Sequence, residues 1–194
     1  SRVQGTKVLI DAIGKLEKRP ETFVGASGTG YYGETGDELV DEQTGPGGTF
    51  LAEVSRQREQ ADHHAASLGI RCVSVRFGMV LDSTGGALAR MLKPFKLGLG
   101  STLGTGDQYW SWVSRRDAVR AIYHVLITPA LTGAVNVTSP NPVTNRHFSR
   151  ILASTLNRPC LVRTPPRLVR IMAGELANNV LLTSCRAVPT KLLE

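Results

Sequence analysis

Residues 24–34 read VGASGTGYYGE, and within them Gly28-Thr29-Gly30-Tyr31-Tyr32-Gly33 spells G-x-G-x-x-G directly after a strand-like stretch. A dinucleotide fingerprint makes three demands. Its first glycine follows a strand, its last opens an apolar helix aimed at the pyrophosphate, and an acidic residue lies about 20 residues further on, after the next strand. Only the first demand is met. After Gly33 comes ETGDELVDE, negative where a phosphate would sit, and the next periodic element is a helix. The stretch therefore reads as a strand end that borders a ligand, not as a phosphate cradle. A hydrolase elbow fails too, because Gly25-Ala26-Ser27-Gly28-Thr29 lacks the last glycine of G-x-S-x-G.

Upstream, residues 3–16 place Val3, Val8, Leu9, Ala12, Ile13 and Leu16 at helical spacing, and Arg19-Pro20 ends the element. The chain opens without Met and at once as a helix, as the interior of a longer protein would. Downstream, 33–48 is an acidic, Gly-rich surface loop. Residues 49–68 form a helix with Phe50, Val54, Ala61, Ala65 and Leu68 on one side. Asp62, His63 and His64 fall on its charged part; adjacent helical residues do not share a face, so a solvated helix is expected there, with no triad and no metal site.

CVSVRFGMVL (72–81) is nearly continuous in β-branched and apolar residues, as a strand covered on both faces should be. A helix interrupted at Pro94 follows, then a half-exposed strand at 108–114, a helix at 115–127, a strand at 133–139 and a helix at 144–156 with Thr144 as N-cap. A last helix opens at Pro166. Strand and helix alternate four times, which argues an α/β fold with a parallel sheet and helices on its faces. Residues 1–140 are expected to form the sheet domain and 141–194 a small C-terminal lobe.

Charge and cysteine content narrow the functions. Of the 194 residues 23 are Lys or Arg and 16 are Asp or Glu, a net charge of +7. Most of that excess lies beyond residue 145, where eight basic residues face Glu175 and Glu194. The arginines are not interleaved with aromatic residues as on a nucleic-acid surface. An anionic small substrate and a plain solvated face both remain open. Cys72, Cys160 and Cys185 form no Cys-x-x-Cys, which argues against zinc and for reduced thiols. No apolar run is long enough for a membrane span. A soluble protein of a reducing compartment, cytoplasm or organelle interior, is expected.

Further segments carry a resemblance. ASGTGYYGE, FLAEV, VRFGMVL, GGALARMLKPFKLGLG, GDQYWSWV, NVTSPNPVTNRHFSRILASTLNRP and LLTSCRAVPTKLLE, in order along almost the whole chain, resemble the epimerase-type branch of the atypical extended short-chain dehydrogenase/reductases. Many members are labelled nucleoside-diphosphate-sugar epimerases. The resemblance implies a Rossmann-type sheet without its N-terminal strands, where the family carries G-x-x-G-x-x-G. It implies NADP as cofactor, with Arg2 on the phosphates, Val80 at the nicotinamide end, and Phe77 and Gly78 among the cofactor-binding residues. It implies an oxidoreductase or epimerase acting on a nucleotide-sugar-like, anionic substrate.

The family's chemistry uses a Ser or Thr with a Tyr and a Lys four residues beyond it. Ser27 and Thr29 are the local candidates for the hydroxyl, although the expected position falls on Gly28. Phe50 and Val54 stand where the Tyr and Lys should be, and no Tyr occurs between Tyr32 and Tyr109. Tyr31 or Tyr32 past the strand end, Glu53 as a base, and Tyr109, Trp110 and Trp112 as stacking groups are the available substitutes. Each also has a purely structural reading, as does Arg76, which suits either a ligand phosphate or an internal ion pair. Without the Tyr and Lys, a non-catalytic subunit of a larger assembly is the alternative.

Overall fold

The computed structural model describes residues 2–174 and 177–194. Its centre is a parallel sheet of β1 (Thr22–Gly28), β3 (Arg71–Phe77) and β8 (Gly133–Val137), in the order β1-β3-β8. The register sets Val24 beside Val73 and Val75 beside Val135. A parallel neighbour needs a crossover, and the helices supply it: α2 (Phe50–His63) between β1 and β3, and α4 (Arg115–Ile127) before β8. The fold is α/β and Rossmann-like.

Strand β3 faces two different surroundings because its side chains alternate. Val73 and Val75 point to an apolar cluster with Val113, Ala118, Val125, Val135 and Val137. Cys72, Ser74 and Arg76 point the other way, toward α2, and are equally buried. The facing side of α2 is therefore polar as well. Glu59 and Asp62 are 6% and 3% exposed, so the expectation of a solvated Asp62 is corrected: it packs on the sheet. Phe50, expected on the core side, is 74% exposed; the helix turns Ala52, Ser55, Glu59 and Ala61 inward instead.

Helix α1 (Arg2–Gly14) lies against α2, with Ile10 buried beside Ala65 and Ile70. Val8, Leu9 and Leu16, expected on its inner face, are exposed. The run 72–81 is two strands. Gly78 breaks it, and β4 (Met79–Leu81) pairs with β7 (Trp112–Ser114) instead of β8. The handover is visible in the backbone, where the Gly78 N–H goes to Val137 O and the Met79 N–H to Ser111 O at 2.8 Å. Pro94 does not interrupt α3 (Gly86–Lys96). It sits in the last turn, so only one helical bond is forfeited before the helix ends.

The remaining elements stitch the C-terminal residues back onto the rest. β6 (Tyr109–Trp110) pairs with β9 (Val143–Thr144), β5 (Ser101–Leu103) with β10 (Val162–Thr164), and β2 (Leu39–Val40) with β11 (Arg186–Ala187). Helix α5 (Asn145–Thr155) begins where expected, with Thr144 Oγ1 accepting the His147 N–H. Thr144→Ala should cost about 1 kcal/mol of stability, read as a lowered urea midpoint with an unchanged slope. Helix α6 (Pro166–Ala173) carries Pro at its first turn, and α7 (Thr190–Leu193) closes the chain. No helix among the described residues is long and apolar enough to cross a membrane.

Candidate active site

Ligands of open α/β sheets gather beyond the carboxyl ends of the strands, and there β1 ends at Gly28 and β3 at Phe77. A cleft of about 240 Å³ opens at that place. Gly28, Thr29 and Gly30 form one wall, Phe77, Gly78 and Met79 another, and Tyr109, Trp110 and Ser111 a third. Leu51 of α2 joins from one side, and Asn178, Val180, Thr183 and Cys185 of the tail from the other. Among the described residues no charged side chain lines it.

The opening G-x-G-x-x-G makes one wall of this cleft and no cradle. Thr29–Tyr32 is a single 3-10 turn, closed by the Gly33 N–H on Gly30 O. Gly33 then takes φ 67, with Thr49 and Gly47 packed where a side chain would stand. A loop follows, with no helix whose N-terminus could take a pyrophosphate.

Beneath the cleft a chain of buried polar groups ties the strand ends together. Ser27 Oγ donates to Glu59 Oε1 at 2.7 Å. Arg76 donates to both oxygens of Glu59, at 2.9 and 2.8 Å, and from Nη1 to the Tyr32 hydroxyl at 2.9 Å. The Tyr32 hydroxyl in turn donates to Asn136 Oδ1 at 2.8 Å, and Asn136 Nδ2 donates to Val188 O. The Arg76 guanidinium lies 3.4 Å from the centroid of the Tyr31 ring. Of the two readings open for Arg76, the structure realises the internal pair. The 3-10 turn is thus held from below by two aromatic rings on one cation.

This arrangement decides what each group can do with a proton. Burial pushes the Tyr32 phenol up to about 12, against the pull of Arg76. Burial likewise lifts the Cys185 thiol to about 11, so at neutral pH it is a poor nucleophile. Hydrogen bonds from Arg56 and Gln57 hold Glu53 down at about 2, a weak base outside the cleft lining. Asn136, in an Asn-x-Thr sequence, is fully buried and no glycosylation acceptor. Of the hydroxyl candidates, Thr29 lines the cleft, whereas Ser27 and Tyr31 sit in the layer beneath it. Phe77 and Gly78 line it too, with Val80 two residues further along β4. The side chain of Arg2 lies outside the described residues. Sequence reasoning missed Glu59; its i+17 pairing to Arg76 has no local signal, although a Glu on the sheet side of α2 was a clue.

Asp62 adds a pH dependence. Ser74 Oγ donates to its carboxylate at 2.9 Å, yet burial lifts it to about 6. A raised carboxylic pKa means that the folded chain holds the proton more tightly than the unfolded chain. Its stabilising contribution is therefore complete below about pH 4 and is lost as pH rises through about 6. Asp62→Asn should remove a fall of about 2–3 kcal/mol in unfolding free energy between those limits, measured as the difference between urea titrations of the two proteins across that range.

Three kinds of similarity meet this geometry. The pattern of the NAD dependent epimerase/dehydratase family matches residues 1–138. Epimerase family protein MT2273 of Mycobacterium tuberculosis (strain CDC 1551 / Oshkosh) is 42% identical over 192 residues, 99% of this chain and 63% of that protein. The crystal structure of human epimerase family protein SDR39U1 (isoform 2) with NADPH superposes with a TM-score of 0.91 at 30% identity, over 100% of this chain and 65% of that one. The nucleoside-diphosphate sugar epimerase from Corynebacterium glutamicum gives 0.81 at 31% identity, over 100% of this chain and 37% of that one. The chain thus spans less than two thirds of the length of each.

Proposed function

The chain belongs to the NAD dependent epimerase/dehydratase family, and we propose that its cleft takes the nicotinamide end of a dinucleotide, NADP in preference to NAD. The observation that carries this is the cleft at the ends of β1 and β3, whose described lining, Thr29 and Phe77–Met79 included, is uncharged. Its volume of about 240 Å³ suits a nicotinamide ring with its ribose. The residues fit only that end, because the one G-x-G-x-x-G among the described residues, 28–33, leads into a loop and opens no helix toward a pyrophosphate. NADPH in the human relative's structure supports the choice of NADP. When bound, the cofactor supplies a hydride donor or acceptor at the ring. Residues 1–140 would then carry the cofactor side and 141–194 the substrate side.

The protein's own part is to position and to shield. Thr29 offers a hydroxyl at the ring's edge, Phe77 and Met79 exclude water, and the Arg76 layer keeps the wall rigid. The test is the fluorescence of NADPH titrated with protein. Enhanced nicotinamide emission that Thr29→Trp abolishes, by filling the cleft, is the expected result. No change in emission with the unaltered protein would refute the reading.

One observation favours a catalytic role on a nucleotide-sugar-like, anionic substrate over a purely binding one. Tyr109 lines the cleft, and the Arg186 guanidinium lies 4.7 Å from its ring centroid. The cation holds the ring in the cleft wall, and Tyr109 is the one phenol among the described lining residues. Tyr109→Phe should then abolish turnover on sugar nucleotides while leaving NADPH binding intact. Turnover unaffected by that change would remove Tyr109 from the mechanism.

A further inference from the structure

We propose that the end of the molecule formed by the α3–β5 turn and β10 is a docking face for an anionic lipid surface. Four large apolar side chains stand open there. Leu97, Leu99, Leu161 and Val162 are 75, 71, 90 and 66% exposed. They come from two distant segments that the fold clamps together. β10 runs parallel to β5 with Val162 opposite Ser101, which sets Leu161 beside Gly100 and close to Leu99. Arg158 donates from Nε to Lys96 O at 2.9 Å, fixing the turn before β10 against the end of α3, where Leu97 follows. An exposed apolar cluster of this kind marks an interaction site.

The charge around it says what it meets. Residues 83–106 and 142–174, which supply both segments, contain nine Lys and Arg and no Asp or Glu. Lys93, Lys96, Arg158 and Arg163, all exposed, flank the four apolar residues in sequence. The partner is therefore anionic and able to take up hydrocarbon. A lipid surface fits better than a protein. Leu97 and Leu99 project from a turn, and Leu161 and Val162 from the start of a short strand, and they line none of the described cavities. The one aromatic residue from α3 through β5, Phe95, is buried, whereas protein interfaces centre on aromatic or arginine anchors seated in pockets. Leucines that dip into the headgroup boundary, with cations over lipid phosphates, make a reversible attachment that needs no spanning helix.

Flotation of the protein with vesicles tests this. Phosphatidylcholine vesicles containing phosphatidylserine should carry the protein upward, pure phosphatidylcholine vesicles should not, and high salt should release it. Lys96→Gln and Arg163→Gln should each weaken partitioning about fivefold, and Leu161→Ser about tenfold, with thermal unfolding unchanged since these side chains are exposed. Failure to float with anionic vesicles would overturn the proposal. So would tighter binding to polyglutamate than to vesicles, which would make the partner an acidic protein. Self-association abolished by Leu161→Ser, without flotation, would make the occupant a second copy and overturn it too.

Discussion

Arg76→Leu is expected to lower the unfolding free energy by about 3–5 kcal/mol. Removing the guanidinium strands Glu59 as a carboxylate 6% exposed, with only the Ser27 hydroxyl left to it. It also takes the hydrogen-bond donor from the Tyr32 hydroxyl and the cation from the Tyr31 ring. The loss on breaking such a pair comes mainly from the charge left behind, so removing both partners should be far milder. Arg76→Leu combined with Glu59→Met should recover most of the stability in a double-mutant cycle by urea denaturation. If the double variant is as unstable as the single one, the cost lies in packing or in the aromatic layer. Because the rings seat residues 29–32, the single variant should also lose the NADPH signal under conditions where it is still folded.

Gly78→Ala should cost about 3 kcal/mol, at the upper end of what overpacking exacts. A Cβ there would stand 2.7 Å from Ser111 O and 2.9 Å from its carbonyl carbon. Both are backbone atoms, which cannot rotate away, and Ser111 is itself pinned, since its hydroxyl donates to Cys185 O and receives the Ala187 N–H. The strain would fall on the handover from β3 to β4 and thus on a wall of the cleft. Gly48→Ala is the control. Nothing lies within 4 Å of its added carbon, and a glycine to alanine change at such a site is neutral or stabilises by about 0.4–1 kcal/mol. Comparable thermal midpoints for the two variants would contradict this account.

Much of the architecture was legible because hydrophobic period and helix signals are local. The helix at 115–127 lies where its pattern puts it, and the Thr144 cap and the Pro166 start hold. Strand β3 shows the limit. A run of small and β-branched residues says that both faces are covered but not by what, and here one cover is apolar and the other ionic. Gly78 could not be recognised as a break, since the reason is the approach of Ser111, 33 residues away in sequence. Thr29 could be placed past a strand end from the strands alone, whereas Phe77 and Gly78 came only with the family resemblance, because 72–81 reads as one unbroken strand. The tail residues at 178–185 could not, because nothing in their composition says that they return to residues 28–33.

That return has a consequence for how the protein is made. β11 adds to β2, Ser184 donates its N–H to Glu34 Oε2, and Asn136 holds Val188 O, so partners some 50 to 150 positions apart are joined by residues 184–188. A nascent chain emerging from the ribosome can assemble β1, α2 and β3 early, but the cleft gains a roof only after residues 178–188 have emerged. Ligand binding would then be a late checkpoint, closed to any nascent molecule not yet made past Val188.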